Sequence, residues 1–288
     1  MTSLQNKKIS VVLPNYNYSK YLKNRIRSIL KQTFPIYELI ILDDNSNDDS
    51  IKIIESEIKK IKEIRPELNV RFIKSEKNSG KAIAQWKKGL ELATGDFVWI
   101  AEADDLSKKH FLEEAMKGLK DPGVVLSYTE SAAINSHGLM IVPNLRWSRD
   151  KEKTGHYKKN YVNDGEKEIE EIMAIRCTIP NVSAAVFKND KKYLKYLDEA
   201  LKYTQVGDWY FYAKILENGK ISYNRKSLNK FRLHSGSKTA ESKKTRTHYD
   251  EILEMHKIFK NKYKLSDWVL DKIEREEARV RAKHGIIE

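Results

Sequence analysis

Residues 97–105 read Phe97-Val98-Trp99-Ile100-Ala101-Glu102-Ala103-Asp104-Asp105, FVWIAEADD, a short apolar run that passes straight into three carboxylates. An apolar run of this length bounded by charge predicts a buried strand, here Asp96–Ala101. Nothing nearby in sequence neutralises the acids. In an open parallel sheet, ligands bind in the crevice beyond the C-terminal ends of the strands, so acids at such an end stand where chemistry is done.

The surrounding sequence supplies the sheet. Ile9–Leu13 is a β-branched run that Pro14 is expected to stop, followed by Tyr21, Leu22, Ile26, Ile29 and Leu30 at helical spacing. The alternation continues with a strand at Glu38–Leu42, a helix face made by Ile51, Ile54, Ile58 and Ile61, a strand at Val70–Ile73 and a helix over Ala82–Leu92. Strands that alternate with helices predict an α/β fold with a mostly parallel central sheet flanked by helices. Beyond Asp105, Ser107 is read as the cap of a helix carrying Phe111, Leu112, Ala115 and Leu119, which Asp121-Pro122 ends, and Val124–Ser127 as a strand. Asn135–Gly138 predicts a hairpin turn, and the polar stretch Trp147–Gly165 a long loop. Val182–Phe187 and Lys220–Leu233 read as strands around a helix at Asp208–Leu216. From Thr239 the composition changes to a charged, strandless tail with two helices, one carrying Tyr249, Ile252, Met255, His256 and Phe259, the other opening at Ser266 with Trp268, Leu270 and Ile273.

Composition narrows the class. The 288 residues carry 54 Lys and Arg against 41 Asp and Glu, a formal charge of +13 that suits polyanionic partners, anionic lipid or phosphorylated substrates. Cys177 is the sole cysteine, so no intrachain disulfide or Cys/His zinc cluster is available, and a reducing cytoplasm is the expected location. No apolar run approaches the ~20 residues of a membrane-spanning helix, and MTSLQNKKISVVLP has no apolar h-region, so export by a cleaved signal is not expected.

Four strand endings are polar: Leu13–Tyr16, Leu42–Ser46, Ser75–Gly80 and Glu102–Asp105. PNYNY after the first strand has no glycine fingerprint and no GxxxxGK[ST] occurs, which excludes dinucleotide and P-loop sites. Carboxylates gathered in a crevice of a basic protein suit a hard divalent cation that in turn holds phosphate. Either cluster alone could instead cap a helix or tie a turn.

VVLPNYN at 11–17, LDDNSNDDS at 42–50, KNSGKAIAQWKKGLELATGDFVWIAEADD at 77–105 and VGDWYFYAKIL at 206–216 resemble, in order and context, the motifs of family 2 glycosyltransferases with the GT-A fold. The resemblance spans about residues 8–236 and implies a GT-A catalytic domain over 1–236, with a nucleotide-sugar half (1–105) and an acceptor half (106–236), and a C-terminal helical extension over 237–288. It implies a nucleotide-diphospho-sugar donor, most often a UDP-sugar, inverting transfer to an acceptor hydroxyl, and Mn²⁺ or Mg²⁺. By position, Pro14, Asn15 and Tyr16 line the nucleoside, Asp43 and Asp44 contact base and ribose with Asp44 foremost, and Asn78, Gly80 and Lys81 form the far wall. Asp104-Asp105 matches the metal-binding motif, with Asp105 the main ligand, Asp104 toward ribose or phosphate, and Glu102 behind them or merely solvated.

Asp208, in Gly207-Asp208-Trp209, matches the catalytic base, although Gly stands where the family more often has Glu. A helix N-terminus is expected to lower its pKa. His234 resembles a position near the diphosphate, as metal ligand or hydrogen-bond donor; a surface loop histidine is the other reading. Trp209 either stacks on an acceptor sugar or packs its helix, and Trp147 is a candidate acceptor contact.

The expected function is transfer of a sugar from a UDP-sugar to a glycan or lipid-linked acceptor in bacterial capsule, lipopolysaccharide or other surface-glycan assembly. The positive charge suits an acidic acceptor or peripheral contact with anionic membrane on its cytoplasmic face, with the C-terminal helices as the expected surface. Two other readings are a sugar-nucleotidyltransferase and a non-catalytic glycan- or nucleic-acid-binding module. The first wants a Gly- and Arg-rich loop after the first strand, and the second leaves the Asp pairs unexplained, so no nucleic acid is expected.

Overall fold

Strands β1 (Ile9–Asn15), β2 (Glu38–Asp43), β3 (Asn69–Lys74) and β4 (Phe97–Ile100) lie parallel in the order β3-β2-β1-β4. The computed structural model describes residues 6–234 and 246–283. Helices α1 (Ser19–Leu30), α2 (Ser50–Ile64) and α3 (Ala82–Leu92) connect these strands. Both sheet faces are covered, as parallel sheets require. Val12, Ile40, Leu42, Val98 and Ile100 face α3 through Ile83, Trp86 and Leu90. Val11, Leu13, Leu39, Ile41 and Trp99 face α1, α2 and α4 (Phe111–Gly118). At Gly89 a Cβ would come 2.3 Å from Val12 Cγ1, so this glycine lets α3 lie directly on β1.

Pro14 does not stop β1, which runs on to Asn15. The carbonyls of Ile9 and Asn15 accept from Tyr37 and Asp44 on the β2 side, while that of Val12 accepts from Ala101 on the β4 side. By this alternation the imide nitrogen of Pro14 faces β4, whose pairing ends at Val12–Ile100, so no ladder bond is lost.

The sheet continues from β4 through β9 (Ala185–Lys188), antiparallel to both neighbours, to β6 (Val124–Ile134) and β10 (Lys220–Arg232), which are parallel to each other. The short β5 (Leu106–Ser107) pairs with β10, β7 (Met140–Val142) with β6, and β8 (Tyr161–Asp164) with β10, giving ten strands among the described residues. Ser107 is therefore not a helix cap: it lies in β5, α4 begins at Phe111, and its Oγ accepts from Arg25 Nη1 at 3.0 Å. The hairpin forms as read, with Asn135 Oδ1 accepting from the N–H groups of His137 and Leu139 and Gly138 at φ 85°.

The stretch read as a long loop is divided by α5 (Arg146–Arg149), a 3₁₀ turn at His156–Lys158 and β8. A buried polar cluster anchors it. Arg149 donates to Glu130 Oε2 at 2.5 Å and to the Thr178 carbonyl at 2.6 Å, with its guanidinium 4.2 Å from the Tyr157 ring centroid. Tyr223 also donates to Glu130 Oε2. Arg149→Ala would leave Glu130 buried without its cation, and is expected to lower unfolding free energy by about 3–5 kcal/mol in a urea titration.

Helices α6 (Gly165–Glu168), α7 (Tyr193–Ala200) and α8 (Gly207–Leu216) precede two C-terminal helices, α9 (Arg246–Lys262) and α10 (Asp267–Lys283). Tyr249, Ile252, Met255 and Phe259 join the same core as Trp209 and Tyr212, and His256 is buried, as the spacing predicts. Trp268 instead stands 42% exposed, and Val269 and Ile273 face inward. The expected helix onset at Thr239 and the expected boundary at 236/237 lie outside the described residues. No helix among the described residues is long and apolar enough to cross a membrane.

Candidate active site

Because β1, β2 and β4 are parallel, their C-terminal ends open onto one edge, where Asp44 N bonds to Asn15 O and Ala101 N to Val12 O. This edge brings together Asn15, Asp43, Asp44 and the acids after Ile100. Asp43 is fully buried: Oδ1 accepts from Ser46 N, and Oδ2 from Asn15 Nδ2 and Ser46 Oγ, both at 2.7 Å. Asp44, also buried, accepts from Ser79 N and Oγ and from Gln85 Nε2 at 2.6 Å. The pair thus ties the loops after β1, β2 and β3 into one wall. Asn78 Oδ1 accepts from Gly80 N, whose φ of 74° favours glycine. Lys81 Nζ donates to the Leu201 carbonyl, which draws its charge toward the α7–α8 connection. Pro14 and Asn15 are buried beneath, and Tyr16 is exposed above.

The three carboxylates after β4 differ sharply. Asp105 is 2% exposed, with Oδ2 accepting from Asn181 Nδ2 at 2.5 Å and Oδ1 from Arg232 N at 2.9 Å. Burial and then the charge of Asp104 push it up to about 7. Glu102 is half-buried and held: its Oε1 accepts from Trp86 Nε1 at 2.6 Å, and burial followed by the charge of Asp104 pushes it up to about 8. Asp104 is the acid paired at the crevice surface, with Oδ2 3.0 Å from His234 Nε2. His234 sits beside the rings of Tyr18 and Tyr21, at 5.7 and 5.4 Å between centroids.

Positive charge reaches these acids from far along the chain. Arg25 is fully buried with its guanidinium 5.0 Å from the Trp99 ring centroid, and Nε and Nη2 have no hydrogen-bond partner among the described residues. Burial pulls it down to about 10 while the three acids oppose that shift. Arg232 Nε donates to the Asp104 carbonyl and Nη1 to that of Asn135. Neither arginine was found from sequence, yet Arg25 left a signal, a cation inside the apolar stripe of Tyr21, Leu22, Ile26 and Ile29.

Asp208 opens α8, its Oδ1 accepting from Trp209 N at 2.8 Å. Its pKa is not lowered: burial pushes it up to about 6, outweighing the hydrogen bonds from the N–H groups of Trp209 and of Asp208 itself. Tyr212, one turn along α8, feels the charges of both Asp208 and Glu102, so the helix start and the acids share one region. The Tyr212 hydroxyl is buried without a partner among the described residues. Trp209 is not an acceptor platform, since its ring packs on His256 and Phe259 and Nε1 donates to the Met173 carbonyl. Trp147 stands 66% exposed on α5.

The donor set bears on a cation. Among the described residues no three His, Cys, Asp or Glu side chains converge as a full metal cage. Asp104 and His234 do present one carboxylate and one imidazole side by side. Such a sparse set fits a divalent ion that takes its other ligands from phosphate oxygens and water.

Acids at the C-terminal edge of a parallel sheet, together with a carboxylate at the start of α8, suit a group-transfer enzyme of the nucleotide-sugar class. Residues 10–171 match the family model described as "Glycosyl transferase family 2", and the chain belongs to that family. Membership sets aside the nucleotidyltransferase and binding-module readings. The chain is 38% identical over 110 residues to the Staphylococcus aureus (strain N315) poly(ribitol-phosphate) beta-N-acetylglucosaminyltransferase TarP, covering 38% of this chain and 32% of TarP. Segments shared with curated relatives of this kind span less than half of the relatives' length. In fold, the chain is similar to S. aureus TarS 1–349 in complex with UDP, at TM-score 0.64 and 20% identity over 96% of this chain and 72% of that one. It is likewise similar to a Pyrobaculum calidifontis mannosyltransferase in complex with GDP-Man and Mn²⁺, at TM-score 0.61 and 17% identity over 96% and 70%.

Proposed function

We propose that the chain transfers one sugar from a UDP-sugar, with inversion, to a hydroxyl of a bacterial surface glycan or lipid-linked acceptor. What supports this reading is that Asp208, a carboxylate held at about 6 at the start of α8, and Glu102 of the acid cluster both act on the Tyr212 hydroxyl. Asp208 accepts the proton of the acceptor hydroxyl as its oxygen bonds to the anomeric carbon. The bond from that carbon to the diphosphate oxygen breaks on the opposite face, and the nucleoside diphosphate leaves with the electron pair. Asp104 and His234 would hold Mn²⁺ or Mg²⁺, which when bound offsets charge on the departing diphosphate.

Asp105 serves differently from the expectation. Its bonds to Asn181 and Arg232 N favour a role in fixing the loop that presents Asp104, and Asp104 is the contact to the cation. Asp44 keeps the wall formed by Ser79 and Gln85 in place for the uridine, with Asn15 and Tyr16 beside it. A charge of +13 supports an anionic acceptor, in keeping with the poly(ribitol-phosphate) named for TarP, and supports peripheral contact with anionic membrane at the cytoplasmic face.

The test is a screen of UDP-sugars for UDP release stimulated by Mn²⁺, first with water and then with candidate acceptors. Stimulated release from one UDP-sugar is the expected result. Release from none, or equal release from GDP-sugars, would overturn the donor assignment.

A further inference from the structure

Leu139, Met140 and Ile141 are consecutive and stand 67%, 66% and 53% exposed. Alternate side chains of a strand point to opposite faces, so three exposed apolar neighbours mean that neither face of β7 is covered among the described residues. Solvent-facing runs of this kind mark a binding surface or an aggregation hazard. The chain then follows β6 from Val142, opposite Ala133, to Leu145, whose N–H bonds to Glu130, and presents Trp147 on α5 at 66% exposure.

The apolar strip has a basic flank. Arg146 Nη1 donates to the Arg225 carbonyl, and Arg225 N donates to Asn160 Oδ1, which brings Arg146, next to Trp147 in the chain, together with Arg225 and the segment Lys159-Asn160. Lys226, next along, shares Glu114 with Lys117. The hairpin also lies at the mouth of the site, because Arg232 donates both to the Asn135 carbonyl and to the Asp104 carbonyl. The C-terminal helices, in contrast, bury Tyr249, Met255, Phe259 and Ile273 in the core.

We propose that the β6–β7 hairpin and Trp147 form the surface that docks on an anionic lipid bilayer. Leu139, Met140 and Ile141 enter the interface, and Arg146, Arg225 and Lys159 meet the lipid phosphates. An apolar strip, an interfacial tryptophan and a cationic flank together give reversible surface binding, since each alone is weak. The hairpin is thereby the contact that turns the crevice toward a membrane-held acceptor, which rests on the transfer reading above; the docking itself does not.

Flotation with vesicles tests the proposal. The chain should float with phosphatidylcholine vesicles containing about one-third phosphatidylglycerol, and about tenfold less with phosphatidylcholine alone. The triple variant L139S/M140S/I141S should lose about tenfold or more of that binding while its circular dichroism and UDP affinity stay unchanged, because it removes only exposed side chains. Absence of binding by the parent chain would overturn the proposal, as would undiminished binding by the triple variant. So would a concentration-dependent dimer that the triple variant abolishes, which would assign the strip to a second copy. UDP affinity in the same preparations reads the glycosyltransferase assignment separately, so failure of docking and failure of that assignment are told apart.

Discussion

Asp208→Asn is expected to lower kcat by about 10²–10⁴-fold while leaving UDP affinity within about twofold of the parent value. The amide keeps the size of the side chain and the contact to Trp209 N, but it cannot take up a proton. Steady-state transfer and calorimetry with UDP separate the two effects. The pH profile of the parent chain adds a second check. Burial places Asp208 near about 6, and only the carboxylate accepts the acceptor's proton, so kcat/KM should rise with pH through about 6 and level off above. Retained turnover in the amide variant, or loss of UDP affinity, would remove Asp208 from the role of base.

The second large effect distinguishes Asp104 from Asp105. Asp104→Asn should abolish the metal-dependent part of UDP affinity, a loss of about 10–100-fold, while its amide oxygen keeps the 3.0 Å contact to His234 Nε2. Asp105→Asn should instead cost about 1–3 kcal/mol of folding stability, since one of the donors from Asn181 and Arg232 would then face an NH₂ group. Calorimetric titration with UDP, with and without chelator, reads the first, and urea unfolding the second. Metal dependence lost in Asp105→Asn and kept in Asp104→Asn would restore the assignment expected from sequence. Equal affinity of the parent chain with and without chelator would remove the cation altogether.

Periodicity carried most of the fold because its elements are local. Ala82–Leu92 and the strand before Glu102 declare themselves within their own residues, and so did the placing of Asp43, Asp44 and Glu102–Asp105 at strand ends. Pro14 misled because its effect depends on which neighbour its nitrogen faces, a property of the sheet and not of the residue. The region after Glu130 resisted reading for a similar reason. Its order comes from Arg149 and Tyr223 converging on one buried carboxylate, with the Tyr157 ring against the arginine, and no short-range pattern encodes that meeting. Which acid of Glu102–Asp105 looks outward was equally hidden, since Asn181 and Arg232, the partners that turn Asp105 inward, are 76 and 127 residues away. At Asp208 both influences were foreseeable in kind, but their balance depends on how much of the carboxylate the fold removes from water.

The Arg232 guanidinium grips two main-chain atoms, the carbonyl of Asp104 and the carbonyl of Asn135. A clamp that takes hold of backbone at Asn135 leaves the tip beyond it free to diversify while the loop of Asp104 stays in register. Such an arrangement would let related chains vary the hairpin tip, one substitution at a time, without disturbing the acids that the same arginine holds.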